Sequence, residues 1–303
     1  MKIVVTGREG QVVSALIEAA TTKSDLTVVA LGRPELDLAK PETIWKSIEP
    51  HAPDVIVSAA AYTAVDQAED EPDLAFRINA EGAGAVAKAA AELGVPVIHL
   101  STDYVFSGTG QRAYSEADDT DPTGIYGASK LAGEKAVALA NPKHLIFRTA
   151  WVYSAFGKNF LKTMLKLAEM RDEISVVGDQ WGNPTSAHEL ANAIVAAITH
   201  IHRPGFENWG TYHLTGTGDT NWSALARHIM QTSQRLGGPF ATIRDIATAD
   251  FPTKARRPAN SRLSNDKFVG EFGWKAPGWR ESVTEIVGRM SGHPLATEIE
   301  ASR

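Results

Sequence analysis

The feature that most limits the fold of this chain is a series of short apolar runs in its first half. These runs alternate with longer segments of helical periodicity. Strands that are apolar on both faces are typical of a parallel sheet covered by helices on each side. The predicted strands of this half span residues 2–6, 26–31, 55–59, 95–101 and 144–149. The predicted helices span residues 10–20, 41–49, 72–93 and 122–140.

This alternation predicts an α/β fold, with a Rossmann-type doubly wound parallel sheet and a smaller C-terminal α/β substrate domain. The regular alternation of strand and helix patterns changes after about residue 151. Residues 251–264 are rich in proline, arginine and asparagine and are interpreted as a long functional loop. We predict a dinucleotide-binding domain over residues 1–150, to which the chain returns at roughly 186–216. The remainder, 151–303, is predicted to be a substrate-binding domain.

Composition excludes several classes of function. The 303 residues carry a net charge of −6, so a general affinity for nucleic acid or an anionic membrane is not expected. The absence of cysteine excludes disulfides, thiolate nucleophiles and cysteine-based metal sites. No apolar stretch approaches the roughly 18 residues that span a bilayer, and a strand pattern at the N-terminus leaves no room for a signal peptide. We therefore expect a cytoplasmic protein, either a monomer or a homodimer.

The residues after the first strand are typical of a phosphate-binding loop. Gly7 permits a tight turn, and Gly10 allows the backbone to approach a pyrophosphate. The N–H groups of Gly10, Gln11 and Val12 would face the phosphates at the positive end of the next helix. Val13 stands where a third glycine is usual, and Gly-x-x-Gly also occurs in ordinary strand-to-helix turns. The position between the first strand and the first helix nevertheless favours dinucleotide binding.

The end of the second predicted strand bears on the choice between NAD and NADP. Leu31-Gly32-Arg33 has no acidic residue at its tip, and the cation of Arg33 could meet the 2′-phosphate of NADPH. Arg33 is equally consistent with an exposed loop arginine, and Asp37 could reach the adenosine side instead. The sequence favours NADPH as cofactor, with NADH possible.

A tyrosine, a lysine and a threonine form the candidate catalytic set. Tyr126 and Lys130 lie one turn apart on a predicted helix, and Thr102 ends a predicted strand, where open α/β sheets bind ligands. Reduction of a ketone needs a proton donor, and an ammonium near a tyrosine lowers the usual phenol pKa of about 10. We predict Tyr126 as donor, Lys130 as the group that tunes it and Thr102 as the hydroxyl that positions the carbonyl oxygen. The hydride must come from a cofactor.

These features together resemble the extended short-chain dehydrogenase/reductase family. Further runs narrow the resemblance to the dTDP-4-dehydrorhamnose reductases and extend over nearly the whole chain. They lie at residues 79–82, 105–108, 126–134, 147–153, 179–185 and 257–263. The resemblance implies NAD(P)H-dependent reduction of dTDP-4-dehydro-L-rhamnose to dTDP-L-rhamnose. That reaction is the last step of dTDP-rhamnose biosynthesis, which supplies cell-surface polysaccharides.

The resemblance also assigns residues by matching positions. The cofactor-binding residues that it adds are Asp37 and Leu38, on the adenosine side, and Ala61, Tyr62 and Thr63, along the cofactor. It also implies that Tyr126 and Lys130 bind the cofactor, with the lysine at the nicotinamide ribose. The implied substrate-binding residues are Thr102, Asp103, Tyr104 and Trp151. In some relatives glutamates at a dimer contact hold magnesium, but Ala15 and His188 stand at the matching positions here, so we predict no metal.

Other charged residues leave alternatives open. Arg257, with Arg256 beside it, could grip the nucleotide diphosphate bidentately, or both arginines could be exposed. The acidic run at residues 66–73 is interpreted as a solvated helix start.

Two alternative functions also remain open. One is a reductase of another nucleotide-linked 4-keto-deoxysugar, and the other is a non-catalytic, cofactor-binding regulatory subunit. The intact set of Thr102, Tyr126 and Lys130 argues against the second, because a binding module needs no tuned proton donor.

Overall fold

The computed structural model of the chain describes residues 1–291, in which strands and helices alternate. In chain order the strands are β1 (Lys2–Thr6), β2 (Thr27–Leu31), β3 (Val55–Ser58), β4 (Val97–Thr102), β5 (His144–Thr149), β6 (Val152–Tyr153), β7 (Glu173–Val177), β8 (Trp181–Gly182), β9 (Thr185–Ser186), β10 (Gly210–His213), β11 (Thr220–Asn221) and β12 (Thr242–Ile246). The α-helices are α1 (Gln11–Thr21), α2 (Ile44–Ile48), α3 (Val65–Ala68), α4 (Pro72–Phe76), α5 (Ala83–Glu92), α6 (Ile125–Ala140), α7 (Phe160–Ala168), α8 (Ala187–Ile201), α9 (Trp222–Arg235), α10 (Asp266–Phe272) and α11 (Trp279–Ser291).

A six-stranded parallel sheet forms the centre of the fold. Its strand order is β2-β1-β3-β4-β5-β10, so the last strand comes from the second half of the chain. The order reverses between β1 and β3, and the crevice at the carboxyl ends of strands beside such a reversal is where these sheets bind ligands. The predicted doubly wound parallel sheet is confirmed.

Both faces of this sheet are covered by helices. Side chains alternate along a strand, so Ile3 and Val5 of β1 pack on one face with α1, α8 and α10. Val4 packs on the other face with α2, α5 and α6. All three side chains are fully buried. A strand buried on both sides must be apolar at every position, which explains the continuous apolar runs of the sequence.

A second, smaller core lies in the C-terminal half. Strands β7 and β12 pair in parallel and pack with α7, α9 and α11. The loop at residues 251–264 has no helix or strand, and its contacts with the rest of the chain include bridges from Asn260 to Trp181 and from Leu263 to Tyr114. Within residues 1–291 no helix is both long and apolar enough to cross a membrane.

The helix predicted over residues 72–93 is divided in the structure. Its middle, Arg77–Gly82, is a π-helix between α4 and α5. Gly82 lies against the loop after β2, where an added Cβ would stand 2.5 Å from the carbonyl oxygen of Leu38. Single-turn π-helical segments occur often at functional sites, and this one carries Asn79 toward the site described next.

Candidate active site

The loop between β1 and α1 is shaped to receive an anion. Gly7 has a φ of +104°, which favours glycine, and an added Cβ would stand 3.3 Å from Cγ2 of Val13. Gly10 is the N-cap of α1, and no side chain caps this end of the helix. The N–H groups of the first turn therefore face the crevice without an intrahelical acceptor. Val13 is buried and fills the space above Gly7, so a third glycine is not required for this packing.

The side chain of Gln11 is bound to residues of the second half of the chain. Its Oε1 accepts hydrogen bonds from Ser154 Oγ (2.8 Å) and Asn159 Nδ2 (2.9 Å), and its Nε2 donates to the carbonyl of Val152. The backbone N–H of Gln11 is left to serve a phosphate. The side chain instead ties the loop to the segment that follows Trp151.

The residues predicted for the adenosine side lie in the loop after β2. Arg33 is exposed, and Asp37 Oδ1 accepts a hydrogen bond from the N–H of Ala39 (3.0 Å). Leu38 is buried in the core beside Gly82, so its side chain is not available to a ligand. The guanidinium of Arg8 also lies nearby and forms an ion pair with Glu35 at 2.6 Å.

Asn79 joins the segment after β3 to α6. The amide of Asn79 accepts from the N–H of Tyr62 (2.8 Å), and its Nδ2 donates to the carbonyl of Tyr62 (3.1 Å) and to Ser129 Oγ (3.0 Å). Ala61 and Tyr62 are half-buried, and Thr63 is exposed. Asn79 lies in one of the runs that carry the family resemblance, but its role depends on tertiary contacts that the periodicity of the sequence does not reveal.

Tyr126 and Thr102 meet where β4 ends beneath the start of α6. The ring of Tyr126 lies edge-on to that of Tyr104, with centroids 5.5 Å apart. The hydroxyl of Thr102 donates to Asp103 Oδ1 (2.9 Å) and accepts from the N–H of Tyr104 (3.2 Å). Gly127 is required here, because a Cβ would collide with the carbonyl oxygen of Tyr104.

The electrostatics of Tyr126 differ from the sequence prediction. Burial raises the pKa of Tyr126 to about 12, a hydrogen bond with Thr102 lowers it in part, and the charge of Asp103 raises it. The predicted lowering by Lys130 is wrong for this structure, because the ammonium binds elsewhere. Lys130 Nζ donates to the carbonyl of Leu100 (2.6 Å) and lies 3.3 Å from Nε2 of His99. Burial lowers the pKa of Lys130 to about 8, while the charge of Glu134 raises it.

A buried ion pair fixes α6 against the sheet. Glu134, one turn after Lys130, accepts two hydrogen bonds from Arg148 of β5 (2.9 and 2.7 Å) and one from Ser101 of β4 (2.5 Å). Both charged side chains are less than a tenth exposed. Losing one partner would leave a buried charge uncompensated, so this network holds the helix of Tyr126 in register with Thr102.

A cavity of about 630 Å³ opens beside this set of residues. It is lined by three of the predicted substrate residues, Tyr104, Trp151 and Arg257. Trp151 has a φ of +49° and stacks on Trp222, with ring centroids 3.6 Å apart. Trp222 begins α9, far along the chain, and no local pattern in the sequence marks it as part of this site. The rest of the wall combines apolar and polar side chains; the apolar ones include Phe160, Met164, Leu167, Ile174, Val176 and Ile246, and the polar ones include Asp66, Arg171 and Gln180.

Two carboxyl groups face this region with different environments. Burial raises the pKa of Asp103 to about 6, although hydrogen bonds from Ser261 and Thr102 lower it in part. Asp66 pairs with Arg257 at 2.5 Å and accepts from the N–H of Ala255 (3.0 Å). Nη1 of Arg257 is buried and has no hydrogen-bond partner within residues 1–291.

The interpretation of the acidic run as a solvated helix start is confirmed in part, because Asp66 and Asp73 lie in the first turns of α3 and α4, and Asp70 and Asp73 are exposed. Asp66 and Asp70 bind the C-terminal loop through Arg257 and Lys254. Glu69 accepts from the N–H of Ile125 at the start of α6 (2.9 Å). The run therefore connects α3 and α4 to the loop at residues 251–264 and to α6.

Within the described residues no group of three or more histidine, aspartate or glutamate side chains is arranged to hold a metal ion. Ala15 is buried in the core, and Nε2 of His188 lies 3.4 Å from Glu18.

Comparisons with known proteins agree on one family. Residues 1–291 match the family described as RmlD substrate binding domain. A dTDP-4-dehydrorhamnose reductase from Sinorhizobium fredii is 49% identical over 288 residues, which are 95% of this chain and 97% of that protein. The crystal structure of a dTDP-4-dehydrorhamnose reductase from Clostridium acetobutylicum superposes with a TM-score of 0.88 at 35% identity, covering 96% of this chain and 99% of that one. The same enzyme from Bacillus anthracis, solved in complex with NADP, gives a TM-score of 0.87 at 34% identity, covering 94% and 98%.

Proposed function

The chain belongs to the RmlD substrate binding domain family, and on this premise we propose that it reduces dTDP-4-dehydro-L-rhamnose to dTDP-L-rhamnose with NADPH. The observation that carries the proposal is the cavity lined by Tyr104, Trp151 and Arg257. Tyr104 connects it to the proposed catalytic residues, because its ring packs edge-on against Tyr126 and its N–H binds Thr102. A volume of about 630 Å³ lies within the usual range for small-molecule sites. The aromatic side chains of the cavity and the guanidinium of Arg257 match a ligand with a deoxysugar and a diphosphate.

The cofactor fits the crevice at the carboxyl ends of β1 and β3. Gly7 and Gly10 leave room for a pyrophosphate, and the uncapped N–H groups of Gln11 and Val12 would bind it. Arg33 and Asp37 would lie on the adenosine side, with the backbone of Leu38, while Ala61, Tyr62 and Thr63 would lie along the cofactor. When bound, NADPH supplies the hydride that no side chain can provide. The NADP complex of the Bacillus anthracis relative supports this choice of cofactor.

Tyr126 would give the proton that the reduced carbonyl oxygen needs. Its raised pKa keeps the phenol protonated at neutral pH, so it is ready to act as an acid. The hydroxyl of Thr102, held by Asp103 and by the N–H of Tyr104, would position the same oxygen. Lys130 would contact the cofactor ribose.

The rest of the substrate would be held by the second half of the chain. The stacked indoles of Trp151 and Trp222 give the cavity an apolar aromatic wall, which suits the methyl group of a 6-deoxysugar. Arg257 would bind the diphosphate with its buried Nη1, so that binding energy remote from the reaction helps to orient the keto carbon. We accordingly propose that residues 1–150, with 186–216, bind the cofactor and that residues 151–303 bind the sugar nucleotide. We also propose that the enzyme works in the cytoplasm, where its small-molecule substrates are found.

The test is oxidation of NADPH or NADH by the purified protein with dTDP-4-dehydro-L-rhamnose, followed by NMR of the product. We expect turnover with NADPH, dTDP-L-rhamnose as product and much poorer use of the bare sugar. A product with another configuration at C4 would make the protein a reductase of a different deoxysugar. Binding of NADPH without turnover would indicate a non-catalytic subunit.

A further inference from the structure

A buried histidine lies directly behind the lysine of the proposed active site. His99, in the middle of β4, is 1% exposed, and Lys130 is 2% exposed. Nζ of Lys130 lies 3.3 Å from Nε2 of His99 and donates to the carbonyl of Leu100 at 2.6 Å. An ammonium has three N–H donors. These two acceptors use two of them and leave one for a ligand in the cleft.

The contacts of the ring determine which nitrogen carries its proton. Nδ1 of His99 lies 3.1 Å from Oγ of Ser58, which is also buried. An ammonium can only donate, so Nε2 must accept and the proton of the neutral ring must be on Nδ1, donated to Ser58. Burial and the charge of Lys130 lower the pKa of His99 well below its ordinary value, which keeps the ring neutral.

We propose that His99 is a positioning residue, whose Nε2 holds the ammonium of Lys130 in place and restricts it to one N–H for the cofactor. The inference rests on the proposed function, because it gives Lys130 the role of contacting the cofactor. A histidine within a buried strand resembles an ordinary core residue. Here His99 directly precedes Leu100, so two successive residues of β4 accept hydrogen bonds from the same ammonium.

The charged and titratable groups around Lys130 set the expected effect of losing His99. Glu134 lies one turn further along α6 and its charge raises the pKa of Lys130, whereas burial lowers that pKa to about 8. Tyr126 lies one turn earlier on the same helix, and His99 faces the ammonium from β4. Removing the Nε2 acceptor takes away a hydrogen bond to the charged form, so the pKa of Lys130 should fall further.

Two substitutions separate the role of Nε2 from that of the rest of the ring. In His99→Gln the amide oxygen can reach the place of Nε2, whereas in His99→Asn it can reach only the place of Nδ1. We expect His99→Asn to weaken NADPH binding about tenfold, the scale of one hydrogen bond to a charged group. It should also move the alkaline limb of the turnover profile to lower pH, and His99→Gln should restore both quantities. His51→Asn, on a turn before β3, is the matched control and should behave as the wild type.

Equal NADPH affinity and equal pH profiles for His99→Asn, His99→Gln and the wild type would overturn the proposal. An equal loss of NADPH affinity in both variants, with unchanged melting temperatures, would also overturn the proposal. The loss would then not come from the missing acceptor at the place of Nε2.

A measurement on the wild-type protein is independent of turnover and of the stability of any variant. We expect ¹⁵N NMR of histidine-labelled protein, with the His99 signal assigned by its loss in His99→Gln, to show a neutral ring protonated on Nδ1. A ring protonated on Nε2, or a charged ring at neutral pH, would overturn the inference. If the tautomer and the NADPH affinities are those expected for a positioning role of His99 but no sugar nucleotide is reduced, the proposed function fails and the positioning role stands.

Discussion

Tyr126 is kept protonated by its surroundings, and this decides which step it can perform. Its partial burial beside Tyr104 and the negative charge of Asp103 raise its pKa to about 12. Such a phenol gives its proton only to a strong base, and the oxygen of a ketone that has just received a hydride is one. A hydrogen bond with Thr102 lowers the pKa of Tyr126 in part and so eases loss of the proton.

The first prediction concerns this acid. Tyr126→Phe should retain NADPH affinity but lose on the order of 10²-fold or more in turnover, because no donor then meets the forming alkoxide. The measurements are steady-state kinetics with the sugar nucleotide and a fluorescence titration with NADPH. Tyr212→Phe, on the outer strand β10, is the matched control and should keep wild-type turnover. Near wild-type turnover of Tyr126→Phe would remove Tyr126 from its proposed role.

The second prediction concerns the choice of cofactor. Arg33 is exposed at the carboxyl end of β2, so its guanidinium can reach a 2′-phosphate that only NADPH carries. Arg33→Ala should weaken NADPH binding by about tenfold and leave NADH binding nearly unchanged. Titration of the same variant with both cofactors gives its own control. An equal loss for both would show that Arg33 does not read the phosphate, and Arg8 would become the next candidate.

At the scale of secondary structure, the sequence predicted the large elements well and the short ones not at all. The strands β1 to β5 lie within two residues of their predicted bounds, because burial on both faces forces each to be apolar throughout. The two-residue strands β6, β8, β9 and β11 are too short to show any periodicity. The π-helix at Arg77–Gly82 was missed because its cause is tertiary. Asn79 bonds to Tyr62 and to Ser129, and the latter lies 50 residues away.

The third prediction tests the packing of α8 against α11. Glu189 of α8 is buried and accepts from Ser282 of α11, and burial raises its pKa to about 7 from the ordinary value of 4.5. The folded state therefore holds this proton more tightly than the unfolded chain. The stability from this group is complete below about pH 4.5 and is lost as the pH rises through about 7. The loss is at most roughly 3 kcal/mol in the free energy of unfolding.

Glu189→Gln should remove that dependence, since an amide stays neutral and can still accept from Ser282. In urea unfolding, the stability of the variant relative to the wild type should rise between about pH 5 and pH 8. Glu92→Gln, at an exposed position on α5, should run parallel to the wild type. A difference between Glu189→Gln and the wild type that does not change with pH would show that Glu189 is charged throughout this range.

For the whole molecule, the active site depends on contacts between segments that are far apart in the chain. Gln11 binds Asn159 across 148 residues, and Asp66 binds Arg257 across 191. The sequence indicated Arg257 as a ligand for a diphosphate or as an exposed arginine, and gave no sign of its carboxylate partner. No local pattern could reveal such pairs, because each depends on how the two halves of the chain meet. The proposed catalytic set differs in this respect, since Tyr126 and Lys130 share one helix and their spacing is visible in the sequence.

The fourth prediction follows from the two ends of the Arg257 guanidinium. Nη2 is paired with Asp66, whereas Nη1 is buried and has no partner within residues 1–291. A buried donor without an acceptor is costly, and a diphosphate oxygen of the substrate would satisfy it, with Asp66 fixing the side chain in place. Arg257→Ala should therefore raise KM for the sugar nucleotide about tenfold or more and leave the dissociation constant of NADPH unchanged.

Arg203→Ala, on an exposed loop after α8, is the matched control and should change neither KM nor the dissociation constant of NADPH. Asp66→Asn should raise KM less than Arg257→Ala, because it frees the guanidinium without removing it. If Arg257→Ala instead weakened NADPH binding at unchanged KM, the arginine would belong to the cofactor site, and the proposed division of ligands between the two halves of the chain would be wrong.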